Sequence, residues 1–130
     1  MMDIAYQDVT TTLLEEIPEL AADHEKELKF WKPDEVPPHV VYGTVFANFI
    51  DRTEQEWRAT SEDQYEQLLK RCFAYVERVA SSSDFESRCV VEASLLESLI
   101  GQKGDWSRYI QFFGPNTKRM AMEVKKRFAG

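Results

Sequence analysis

The feature that most constrains this chain is an apolar stripe between residues 62 and 80. Tyr65, Leu68, Leu69, Cys72, Phe73, Val76 and Val79 recur at intervals of three and four residues. That spacing keeps them on one face of a helix and would scatter them over both faces of a strand. Ser61 precedes the stripe with Gln64 three residues on, the spacing of a capping box, in which each side chain satisfies a backbone N–H at the helix start. The spacing predicts a helix over 62–80.

The same reasoning extends along the chain. Ser81-Ser82-Ser83 interrupts it, and Ser83 with Glu86 has the spacing of a second capping box. Over 84–100, Cys89, Val90, Val91, Ala93, Leu95, Leu96, Leu99 and Ile100 leave little polar face, so this helix is expected at the centre of the fold. Gly101 and Gly104 are expected to end it, and Asp105 to cap a short helix carrying Trp106, Tyr109, Ile110 and Phe113. Gly114-Pro115 then separates a last helix over about 116–128, with Met120, Ala121, Val124 and Phe128 on one face. Its Lys125, Lys126 and Arg127 fit the negative end of a helix dipole.

The first third is less regular. Tyr6, Val9, Leu13 and Ile17 share a helix face, and Pro18 is expected to open a second helix with Leu20, Ala21, His24 and Leu28 leading toward Phe30 and Trp31. Lys32 to Pro38 holds three prolines and reads as a rigid loop. Beyond it, Tyr42, Val45, Phe46, Phe49 and Ile50 form another stripe through about Thr53. Gly43 and Ala47, four apart, leave room for a neighbouring helix to approach. No run alternates cleanly and no Asn-Gly or Asp-Gly pair is present, so no strand is expected. The fold class is therefore all-α: one compact bundle of about six helices spanning 1–130, compatible with stacked helix pairs.

Chemistry is sparse. No run approaches the ~20 apolar residues of a membrane span, and Met1-Met2-Asp3-Ile4 lacks the charged start of a signal peptide. Cys72 and Cys89 lie on apolar faces and read as free thiols in a reducing compartment, which points to the cytoplasm. Of the two histidines, His24 lies beside Asp23, Glu25 and Glu27, but only Asp23 and Glu27 have the i, i+4 spacing of helical ligands, so no metal is expected. His39, after two prolines, reads as a cap or a carboxylate partner. Neither a G-x-S-x-G elbow nor a phosphate-binding glycine loop occurs. The expectation is a protein that is not an enzyme, needs no cofactor and binds neither membrane nor nucleic acid.

Surface charge is the remaining signal. The net charge is −7, yet residues 1–66 carry sixteen acids against five bases and residues 67–130 seven against eleven. An acidic half steers toward basic partners. Within it, Trp31, Asp34, Glu35, Asp51, Glu54, Glu56 and Trp57 combine aromatic anchors with carboxylates, and this set is the candidate partner-binding surface.

One order of short motifs adds a direction. Leu14-Glu15-Glu16-Ile17-Pro18-Glu19-Leu20 is followed by Pro37-Pro38-His39-Val40-Val41-Tyr42-Gly43, the Leu68-Leu69 helix, Glu92-Ala93-Ser94-Leu95-Leu96-Glu97-Ser98-Leu99, and Phe113-Gly114-Pro115-Asn116-Thr117. Over roughly residues 10–127 this resembles a family of small all-helical bacterial proteins of poorly known function, several of which look like immunity proteins of polymorphic or contact-delivered toxin systems. The resemblance implies a cytoplasmic antidote that binds a cognate toxin domain, expected to be basic, by direct contact. Gly43, Leu96, Glu97, Gly114 and Pro115, its recognisable positions, read as packing and turn residues. The alternative is a helical adaptor or regulatory module, self-associating through an exposed apolar stripe.

Overall fold

A computed structural model describes residues 3–101 and 106–129. The expected all-α architecture is present, with no strand among the described residues. Among the described residues six helices follow one another: α1 (Val9–Glu16), α2 (Ala21–Trp31), α3 (residues 38–60), α4 (Asp63–Ala80), α5 (residues 85–100) and α6 (Pro115–Ala129). Gly104 and Asp105, expected as a helix end and a cap, lie outside the described residues. The short helix expected after them is a single 3-10 turn, Ile110–Phe112.

The apolar stripes meet in one cluster. Val9, Leu13 and Ile17 from the N-terminal segment, Tyr42, Phe46 and Ile50 from α3, Leu69 to Val79 from α4, and Val90 to Ile100 from α5 supply most of it. Ala121 and Val124 of α6 close one side. Tyr42 and Tyr75 both donate to the Val9 carbonyl, at 2.8 and 3.2 Å, with their hydroxyls 3.0 Å apart. Burial raises both phenols, Tyr75 to about 12. The pair ties α1 to α3 and α4 where a bare carbonyl would be costly to bury.

Two helices depart from α geometry. Val41–Phe46 within α3 and Val90–Leu96 within α5 are π-helical, and they pack on each other. Gly43 makes the approach possible: a Cβ there would sit 3.4 Å from both the Ser94 Cβ and the Ser94 carbonyl oxygen. The small residue expected to admit a neighbouring helix does so. His39 Nδ1 and Ser94 Oγ share a hydrogen bond of 2.5 Å across the same contact. His39 thus pairs with a hydroxyl rather than with the expected cap or carboxylate. Because Ala93 and Ser98 remain exposed, α5 is less enclosed than its composition suggests.

The caps also differ from expectation. Ser61 takes a left-handed conformation, φ 58°, and ends α3 instead of opening α4, whose N-cap is Glu62. Ser83 binds Asp3, and Asp84 is the true N-cap of α5, accepting from the Glu86 N–H at 3.0 Å. Only Asp84 caps through its side chain; Glu62 holds the N-cap position of α4 without a side-chain bond to an orphan N–H. Gly101, at φ 31°, ends α5 as expected. A Cβ there would lie 2.8 Å from the Glu97 carbonyl.

Candidate interaction surface

The seven residues selected from the sequence do not form one patch. Helices α2 and α3 lie side by side, with Arg52 of α3 paired to Asp23 near the start of α2 at 2.6 Å. Trp31 is eight residues further along α2, roughly 12 Å at 1.5 Å per residue. Trp31, Asp34 and Glu35 therefore stand at one end of the helix pair and Asp51 to Trp57 at the other.

At the first end, the Trp31 indole donates to Glu27 at 3.0 Å and its ring is half-buried against the core. Asp34 and Glu35 are exposed. Phe30, at the end of α2, is 86% exposed, and no residue of α2 is fully buried.

At the second end the chain covers itself. Arg108 donates from Nε to Glu54 at 2.8 Å and places Nη2 2.6 Å from Asp51. Arg58 donates to the same Glu54 carboxylate at 2.8 Å. Glu54 is only 2% exposed, so its charge is held inside rather than offered to a partner. Burial would lower the Arg108 guanidinium, but its hydrogen bonds to Glu54 and Asp51 hold it above the usual arginine range. The Tyr109 hydroxyl donates to Asp51 at 3.1 Å, and Trp57 meets Phe112 edge-on with centroids 5.5 Å apart. Asp51, Glu54 and Trp57 thus seat residues 106–113. Glu56 stays exposed.

Sequence reading missed the groups on the other side of this seat. Phe112 stacks on Phe73 at 5.9 Å with rings 9° from parallel, and Phe113 tilts onto Phe73 at 5.5 Å. Between α4 and this aromatic turn lies a cleft of about 570 Å³, lined by Glu66, Lys70, Phe73, Gln111, Phe112 and Phe113 among others. Lys70 and Glu66 face each other across its rim at 4.0 Å. Around the α3–α4 turn, Glu56, Glu62 and Asp63 are exposed and form no ion pair among the described residues; Glu62 and Asp63 accept only amide hydrogen bonds, from Gln64 and Gln67. The adjacent aromatics Phe112 and Phe113, just before Gly114-Pro115, were the available signal.

Glu77 fixes the far wall of the cleft. Its carboxylate accepts from the backbone N–H groups of Asn116 and Thr117, at 3.1 and 2.9 Å, and from their side chains at 2.8 and 2.9 Å. It caps α6 from another helix, where the dipole favours negative charge. Burial would raise this carboxyl, but the four donors hold it below its usual value.

Other chemistry is limited. The described residues contain no group of three metal-ligating side chains, and none of their helices is long and apolar enough to cross a membrane. Cys72 is buried and Cys89 half-buried, both as free thiols. The basic end of α6 is engaged: Arg127 pairs with Glu92 and Glu97 at 3.0 and 3.1 Å, and Lys125 Nζ lies 4.6 Å from the Trp106 ring centroid.

Core, caps and surface define a small all-helical protein whose charged groups do much of the joining between helices. The chain belongs to the family described as Domain of unknown function (DUF7674), which it matches over residues 10–130. No match was found among curated proteins or among solved structures.

Proposed function

We propose that this protein is a non-catalytic binding protein of the immunity type, which neutralises a basic toxin domain in the cytoplasm by direct contact. The observation that carries the reading is at the α3–α4 turn, where Glu56, Glu62 and Asp63 stand exposed and without ion pairs among the described residues beside the half-buried ring of Trp57. Unpaired surface carboxylates raise the encounter rate with a basic protein, and aromatic area supplies the short-range contact.

The test is co-expression with the toxin encoded beside this chain. Restored growth and one-to-one co-purification are expected; loss of either sinks the reading. Charge reversal at Glu56, Glu62 and Asp63 together is expected to slow association and flatten its salt dependence, because these charges act mainly on approach.

The adaptor reading draws on a different observation, the exposure of Phe30 and of Phe85, which is 67% exposed. It requires self-association or several weak partners. Sedimentation of a strictly monomeric species at high concentration would remove its self-associating form.

A further inference from the structure

We propose that the cleft between α4 and the Phe112–Phe113 turn is the seat for an arginine side chain of the partner, a step that rests on the binding reading above. Three features point to that guest. The lining includes the half-buried rings of Phe112 and Phe113, which pack on the buried Phe73 and keep part of their own faces open. A guanidinium is planar and weakly hydrated, so it lies on such a face more readily than an ammonium does. The rim supplies a carboxylate at the reach of its N–H fork: Glu66, one helical turn beyond the exposed Asp63 and on the same side of α4.

The third feature is the cation already there. Lys70 stands 4.0 Å from Glu66, at the limit of an ion pair, with its side chain 56% exposed. It occupies the carboxylate loosely and can swing into solvent when a better-matched cation arrives. Glu77, the other acid of the lining, is spent on capping α6 and is not available to the guest. A separate groove beside His39 and Ser94 differs in kind: its lining is mainly hydroxyls and small residues.

The site can be tested without the partner. Titrating N-acetyl-arginine methylamide into isotopically labelled protein is expected to give saturable amide shifts confined to Lys70, Ala74, Gln111, Phe112 and Phe113. The equivalent glutamate derivative is expected to leave them unmoved. Glu66→Lys should weaken the arginine probe at least fivefold and Lys70→Gln should strengthen it. Both positions are partly solvent-facing, and an unchanged circular dichroism spectrum confirms the fold. Shifts scattered over the surface, equal response to the acidic probe, or an unaffected Glu66→Lys variant would overturn the proposal. If the toxin is neutralised but Glu66→Lys binds it as tightly as wild type, the cleft loses its role while the binding function stands. A cleft that takes the arginine probe in a protein that neutralises no toxin has the opposite meaning.

Discussion

Replacing Glu77 with alanine removes one carboxylate and strands four donors on α6. Thr117 is fully buried, so its N–H and hydroxyl lose their acceptors in a place water does not reach. A hydrogen bond to a charged group contributes about 1.5–3 kcal/mol and loss of an N-cap costs about 0.5–2 kcal/mol. The four bonds share one acceptor group and do not add, so a total near 2–4 kcal/mol is expected, or roughly 8–16 °C in Tm for a chain of this size. Gly114 supplies the internal control. A Cβ on it would lie 2.5 Å from Glu77 Oε1 and 2.6 Å from Cδ and Cγ. Gly114→Ala should therefore evict the carboxylate and cost nearly as much as Glu77→Ala. In the Glu77→Ala background the same glycine substitution should cost almost nothing, or stabilise by about 0.4–1 kcal/mol through the unfolded chain. Urea denaturation of the four proteins gives the coupling energy, expected to exceed about 1.5 kcal/mol. Strict additivity would falsify the capping argument. The pH dependence follows in sign. The folded-state pKa of Glu77 lies below its ordinary value of 4.5, so its contribution is complete above that value and is lost as pH falls through the folded pKa. The Glu77→Ala protein should lose less stability than wild type across that acid range.

Arg108→Ala leaves Glu54 buried with Arg58 alone and should cost about 2–4 kcal/mol in chemical denaturation; Arg108→Lys should fall between, because one ammonium nitrogen replaces both the Nε and Nη2 donors. Burial pushes the Cys72 thiol up to about 12, so iodoacetamide at pH 8 should modify Cys72 only after unfolding, as read by peptide mass spectrometry. Gly43→Leu forces a side chain between the two π segments and should cost about 1–3 kcal/mol, with the loss visible in thermal denaturation; a neutral result would mean that α3 and α5 separate freely there.

How much of this was readable from the residues depends on the range of the interaction. Stripes such as Tyr65 to Val79 repeat within one helix, so the helix and its buried face follow from spacing alone. The capping boxes failed by a single residue: Ser83 and Asp84 both fit an N-cap chemically and only the chain path selects between them, while α4 starts at Glu62 without a side-chain cap. Ser61 was drawn to the end of α3, and Ser83 to Asp3. The π segments carry no local signature. They exist where Gly43 and Ser94, 51 residues apart in sequence, allow two helices to touch, a fact that belongs to the packing.

The candidate surface shows the same division more sharply, because charge counted along a sequence does not distinguish pairs made inside the fold from charges left for a partner. The acidic first half and the basic second half are in large part complementary to each other: Arg71 pairs with Glu19, Arg78 with Glu16, and Arg108 with Asp51 and Glu54. Each of these ion pairs joins an acid before residue 66 to a base after it, and so draws down the excess that made the first half look like a steering surface. What survives is smaller and better placed. Among the described residues, Glu56, Glu62 and Asp63 remain without ion pairs at one turn, next to aromatic rings that the same docking of residues 106–113 leaves partly open. The charges that do not find an internal partner, rather than the net charge of the half, are the ones with free energy to give to another protein.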